Sequence, residues 1–158
     1  MRLLRGIVAG TAGTLAMDVL LYARYRKGGG EQGPLAWETA EGTEDWDGAG
    51  APAQAARKLA GMAGIDLPAS SVRTVTNAMH WVYGASWGAC LALGGAKGLR
   101  AGLLLGAGVW GFDYVSLPLL GVYKPIWEYD TQTLWDDLSA HLAFGLATGL
   151  VAEMLADD

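Results

Sequence analysis

The chain has 158 residues, 52% of them hydrophobic and only 17% charged, and its 24 glycines run at roughly twice the ~7% usual in soluble proteins. The net charge of −5 is concentrated in one acidic stretch (Glu31, Glu38, Glu41, Glu44, Asp45, Asp47) and in Asp157 and Asp158; with no basic stripe to neutralise phosphates, a nucleic-acid partner is excluded. The length suits one domain, 1–158, and the single Cys90 excludes an intrachain disulfide; within an apolar stretch it reads as a small buried hydrophobe.

Four stretches, 3–22, 75–95, 101–120 and 134–155, are apolar and long enough to cross a bilayer, which takes about 20 residues. The mean hydropathy of +0.24 is modest because a polar loop dilutes these spans. The first stretch opens Met-Arg-Leu-Leu-Arg like a secretion signal. Its core, however, holds Gly10, Thr11, Gly13 and Thr14 and runs into Asp18 without a small-x-small cleavage site, so retention is expected.

Residues 28–50 are Gly-rich and acidic and read as irregular; 51–65 reads as a short helix, with Pro52 in the first turn and Leu59, Met62 and Ile65 on one face, lying at a membrane interface. Pro68, Ser70 and Ser71 then restart the chain, with serine as N-cap. A tight turn, Gly94-Gly95-Ala96-Lys97-Gly98, joins the second and third stretches, and the third ends near Pro118.

Tyr22, Tyr25, Trp37, Trp46, Tyr123, Trp127, Tyr129 and Trp135 all belong to the side with the longer loops, as expected of an interfacial aromatic cap. Lys and Arg are nearly balanced: Arg2, Arg5, Lys97 and Arg100 on the short-loop side, and Arg24, Arg26, Lys27, Arg73 and Lys124 on the other. The former sit in short, acid-free segments, which favours cytoplasmic termini.

The chain also repeats itself. Arg5, Ala12, Gly13 and Asp18 recur as Arg100, Ala107, Gly108 and Asp113, and His80-x-x-Tyr83-Gly84-x-x-x-Gly88 recurs as His141-x-x-Phe144-Gly145-x-x-x-Gly149. The chain has only two histidines, and both open this pattern. Two helical-hairpin repeats follow, 3–95 (with loop 23–73) and 99–156, in one orientation about an axis along the membrane normal. The expected fold is all-α: a four-transmembrane-helix bundle in which equivalent positions face each other.

Small residues recur every fourth position: Gly6, Gly10 and Thr14 before Asp18; Gly84, Gly88 and Ala92 after His80; Gly145 and Gly149 between His141 and Glu153, with Asp137 preceding. Such stripes bring helices close where hydrophobicity cannot drive association. Asp18, His80, Asp113 and His141 are the candidate site residues, placed at similar depth nearer the aromatic side. Ionisable groups in a bilayer face a bundle interior or a wet cavity. Three roles compete for them: structural pairing, a titrating His–Asp site, and metal ligation by the two Asp and two His. No nucleophile elbow, phosphate loop or cysteine pair appears, so no catalytic residue is assigned and no cofactor is named.

Ser116-Leu117-Pro118-Leu119-Leu120-Gly121, then Pro125, then Ser139-Ala140-His141-Leu142-Ala143-Phe144-Gly145 resembles the YagU-like family of small bacterial inner-membrane proteins, with Ala140 where the family pattern has Gly. The resemblance covers about the last third of the chain and matches the family at Pro118, Gly121 and His141. It implies a multi-pass protein of the bacterial plasma membrane, loosely associated with acid tolerance, and supplies no catalytic residues. Three functions are expected to compete: a non-enzymatic, proton-responsive or small-ligand-binding centre; a metal-binding membrane enzyme or carrier on the same residues; and an assembly module docking a second copy or a partner membrane protein.

Overall fold

The structure, a computed structural model, describes residues 1–156; the acidic pair Asp157 and Asp158 lies outside them. The described chain is all-helical: α1 (Arg2–Lys27), α2 (Pro34–Glu38), α3 (Ala51–Met62), α4 (Val72–Leu93), α5 (Gly98–Leu119) and α6 (Thr131–Met154), with 3₁₀ turns at Ala69–Ser71 and Ile126–Glu128. At 1.5 Å per residue the long helices span about 33–39 Å. Two of them, Arg2–Lys27 and Gly98–Leu119, are long and apolar enough to cross a membrane. Val72–Leu93 and Thr131–Met154 are as long, but Arg73, Asn77 and His80 in one and Asp136, Asp137 and His141 in the other dilute their apolar character.

The helix ends follow local chemistry. Gly121 takes φ +65°, so that its N–H reaches the Pro118 carbonyl and the Val122 N–H the Leu117 carbonyl, both at 2.9 Å. This left-handed cap, which glycine adopts without Cβ strain, is what the Ser-x-Pro-Leu-x-Gly segment encodes. At the start of α6, the Asp130 carboxylate accepts from the Thr133 N–H at 2.9 Å and from its hydroxyl at 2.7 Å. Ser71 does not cap α4: its hydroxyl donates to the Pro68 carbonyl, and the helix starts from the 3₁₀ turn.

The four long helices lie in the order α4, α1, α6, α5, with α1 against both α4 and α6, and α5 against α6. Glycine makes these approaches possible. A Cβ on Gly88 would collide with the Gly6 carbonyl and the Gly10 backbone, and one on Gly145 with the Gly102 carbonyl and the Gly106 backbone. Gly149 sits likewise on Gly98 and Gly102, Gly84 against the Thr14 hydroxyl, and Gly13 of α1 against Thr148 and Phe144 of α6. By contrast α4 and α5 barely touch along their length.

The interior mixes apolar groups such as Val109, Leu117 and Phe144 with polar ones, and many large apolar side chains lie on the surface. The buried groups include Thr14, Asp18, His141 and Thr148 among glycines and alanines, while Leu104 is 65% and Leu119 83% exposed. Cys90 is exposed rather than buried, because the buried face of α4 is taken by Gly84, Gly88 and Ala89.

The 28–50 stretch is more organised than its composition suggests. It contains α2, and Trp46, 6% exposed, packs with Ala49, Ala53 and Val72. The Arg57 guanidinium lies over the Trp46 ring at 5.3 Å, and the Thr39 carbonyl accepts from the Asn77 side chain at 3.1 Å. One aromatic anchor and a few backbone bonds hold a loop that glycine content alone leaves free. Helix α3 ends at Met62, three residues short of the expected 65, because Gly64 turns the chain at φ +76°. Leu59, Met62 and Ile65 remain exposed on its surface.

Two stability predictions follow. Gly88→Ala forces backbone apart and should cost about 1–3 kcal/mol, whereas Gly108→Ala meets nothing within 4 Å and should gain about 0.5–1 kcal/mol from helix propensity. Thermal unfolding in detergent should therefore shift in opposite directions; equal shifts would refute the packing assignment. The bonds from Thr133, its backbone N–H first, hold the Asp130 carboxyl below its usual range. Its contribution is thus present above the unfolded-state value and lost as pH falls through the lower folded one. Asp130→Ala should lower the melting temperature at neutral pH, and the difference from wild type should close in acid.

Candidate functional site

The glycine crossing of α1 and α4 brings Asp18 and His80 side by side. His80 Nε2 donates to both Asp18 oxygens, at 2.8 and 3.0 Å, with the Asp18 side chain 5% exposed and that of His80 31%. The edge of His80 meets Trp81, ring centroids 5.8 Å apart. The α5–α6 crossing pairs Asp113 with His141: Nε2 lies 3.3 Å from Asp113 Oδ2, and Nδ1 lies 2.9 Å from the Asp137 carbonyl. The four residues thus fall into two pairs, one per hairpin.

The pairs differ in their proton requirements. A carbonyl only accepts, so His141 Nδ1 carries a hydrogen. The second ring nitrogen then bonds Asp113 in one of two ways: as N–H to a carboxylate, or as a bare nitrogen to a protonated carboxyl. One proton is therefore shared between His141 and Asp113. Tyr83 of α4 adds a donor to the same group, its hydroxyl 2.5 Å from Asp113 Oδ1. Asp137 follows closely, Oδ1 3.5 Å from His141 Nδ1, and its carboxylate faces the Tyr114 hydroxyl, with Oδ2 buried and making no close hydrogen bond.

Glu38, from the C-terminal end of α2, completes the first pair. Asp18, Glu38 and His80 each bring a ligand atom within 4.8 Å of the others, and among the described residues no other three His, Cys, Asp or Glu do so. Asp18, His80, Asp113 and His141 accordingly do not converge on one metal position. Burial pushes the Glu38 carboxyl above its usual range, the Asp18 charge adds to the rise, and His80 opposes it.

Where α4 and α5 diverge, a cavity of about 470 Å³ opens. Its wall is mostly apolar (Met17, Leu59, Val109, Phe112 and Leu117 among others), with His80, Tyr83, Asp113, Asp137 and His141 set into it and Ala51, Pro52 and Ala55 of α3 along one side. Trp87 helps hold it open, its ring edge-on to Tyr83 at 6.0 Å and to Phe112 at 5.6 Å. The Trp87 indole N–H is buried and faces the Tyr83 hydroxyl without making a close hydrogen bond to it. On the outer side, Arg24 clamps α1 to α6 through the Asp136 carbonyl at 2.6 Å and the Ser139 hydroxyl at 2.8 Å. Burial raises the neighbouring Tyr123 phenol well above its ordinary range, and the Asp137 charge adds to the effect.

Tyr83, Trp87 and Glu38 are functional candidates that the sequence reading missed. Tyr83 was visible as the aromatic of the His-x-x-aromatic-Gly pattern, with nothing to mark its hydroxyl. Glu38 carried no signal, since the folding of the acidic loop alone brings it to Asp18. Family models, characterised proteins and solved structures yield no match to this chain.

Removing the hydroxyl in Tyr83→Phe leaves Asp113 Oδ1 short of a donor, which should cost about 1–3 kcal/mol in detergent thermal unfolding. The same substitution should move the His141 imidazole NMR shifts while leaving those of His80 in place. Unchanged His141 shifts would show that the shared proton does not sense Tyr83.

Proposed function

We propose that this is a non-enzymatic multi-pass protein of the bacterial plasma membrane, of the YagU-like type, whose interior cavity binds a single-chain amphiphile in a proton-linked manner. In this reading all four long helices cross the bilayer, both termini are cytoplasmic, and α1–α4 and α5–α6 are the two copies of a duplicated hairpin. Two helices of spanning length and the many large apolar side chains exposed on the surface, Leu104 and Leu119 among them, support the membrane assignment. The parallel Asp18–His80 and Asp113–His141 pairs support the duplication.

The cavity carries the functional reading. A largely apolar space with a few convergent polar groups is the usual form of a small-molecule site, and this one has shared or only loosely met hydrogen-bonding capacity in its wall. The proposed duplication also accounts for its origin. The 61-residue offset pairs Thr148 with Trp87. Thr148 lets α6 close on Gly13 of α1, whereas Trp87 stands between α4 and α5. An apolar chain would fill the space beside Met17, Val109 and Phe112, its head group reaching Asp113 and His141. The proton those two share then couples head-group binding to pH.

The test uses the detergent-purified full chain and a mid-chain brominated fatty acid. Saturable quenching of tryptophan fluorescence is expected, reduced in Trp87→Phe and abolished by Ser116→Trp, which fills the cavity, with helicity retained by circular dichroism. Affinity should change between about pH 5 and 8. Non-saturable quenching, identical in the filled variant, would overturn the binding site; release of the protein from membranes by alkaline carbonate would overturn the membrane reading.

A further inference from the structure

The first His–Asp pair has a different chemistry from the second, and Glu38 is the reason. Three helices converge there: α1 supplies Asp18, α4 His80 and α2 Glu38. Asp18 is held in the interior at 4% exposure, and among the described residues no lysine or arginine pairs with it or with Glu38. Two carboxylates facing each other repel unless a proton or a cation lies between them. Glu38 moreover turns a solvent-shielded oxygen, Oε1, that has no hydrogen-bond donor among the described residues. An acceptor atom shielded without a partner is costly, and within the cluster the His80 N–H is already shared by the two Asp18 oxygens.

We infer that Asp18, Glu38 and His80 form a binding site for a divalent transition-metal ion of the zinc class. The donor set is two carboxylate oxygens and one imidazole nitrogen, a mixture that suits zinc and its borderline neighbours. It lacks the sulfur that selects copper(I) and the all-oxygen shell of calcium or magnesium. Tetrahedral bonds of about 2.0–2.2 Å place ligand atoms about 3.3–3.6 Å apart, and the three groups already lie within 4.8 Å of one another. The His80–Asp18 contact at 2.8 Å is shorter than that spacing, so the ring withdraws slightly as the ion enters. His80 presents Nε2 to the metal once its hydrogen moves to Nδ1. Three protein ligands leave a coordination position for water or a ligand group, and His80 stands in the cavity wall.

The inference does not depend on amphiphile binding, which involves the opposite pair. The chelator-treated full chain in detergent is titrated with zinc, and separately with cobalt(II) for its visible spectrum. One equivalent is expected, with a tetrahedral-type cobalt spectrum. Glu38→Gln, at the edge of the fold, should weaken zinc binding at least about tenfold, and Asp18→Asn should do the same. Asp113→Asn and the cavity-filling Ser116→Trp should leave it unchanged, whatever the outcome of the quenching experiment. Absence of stoichiometric binding by the wild-type chain, or binding untouched by Glu38→Gln, would overturn the site.

Discussion

The approach of backbone to backbone at the glycine crossings governs almost everything else in this protein. Aspartate is short: its carboxylate reaches an imidazole on a neighbouring helix only when the two helices are almost in contact. Gly88 lying on Gly6 and Gly10, and Gly145 on Gly102 and Gly106, provide that proximity at each hairpin. In the proposed membrane setting no hydrophobic gain draws the helices together, and the contact would rest on dispersion and on the backbone itself. The Asp–His pairs add polar contacts to each crossing. Packing and site are therefore two aspects of one geometry.

The second organising feature is a break in regularity. Small groups, Gly13 and Thr148, let α1 and α6 meet, while aromatic bulk at Trp87 and Phe112 stands between α4 and α5. Two helices kept apart by rings create a space with an apolar wall, and the ionisable groups that a tight bundle would seal become its lining. Helix α3 completes one side, contributing Ala51, Pro52 and Ala55 while Met62 faces outward.

The two pairs, alike in residue type, have been given different surroundings. His141 is bonded at both nitrogens, with Tyr83 behind Asp113, and so holds a proton in common with its partner. His80 bonds only Asp18 and has Glu38 for a neighbour, so the local problem is excess negative charge. In the proposed reading a proton answers the His141–Asp113 arrangement and a cation the one of Asp18, His80 and Glu38. The difference originates outside the paired helices, in the loop that α2 and the buried Trp46 fold against α4.

The amino-acid sequence by itself determined the helical class, because each apolar stretch is longer than a turn-rich or stranded segment allows and is bounded by glycine, proline or capping side chains. It also marked Asp18, His80, Asp113 and His141, since ionisable groups stand out against apolar surroundings, and the four-residue stripes of glycine, since helical period is a local property. Only the tertiary structure decided which residues share a site. The partition into two pairs, the arrival of Glu38, the hydroxyl of Tyr83 at Asp113 and the parting of α4 from α5 all depend on distances between segments far apart in the chain. Periodicity states which face a residue occupies, not how near the opposing face lies. Here that distance is set by whether a glycine or a tryptophan stands at the crossing.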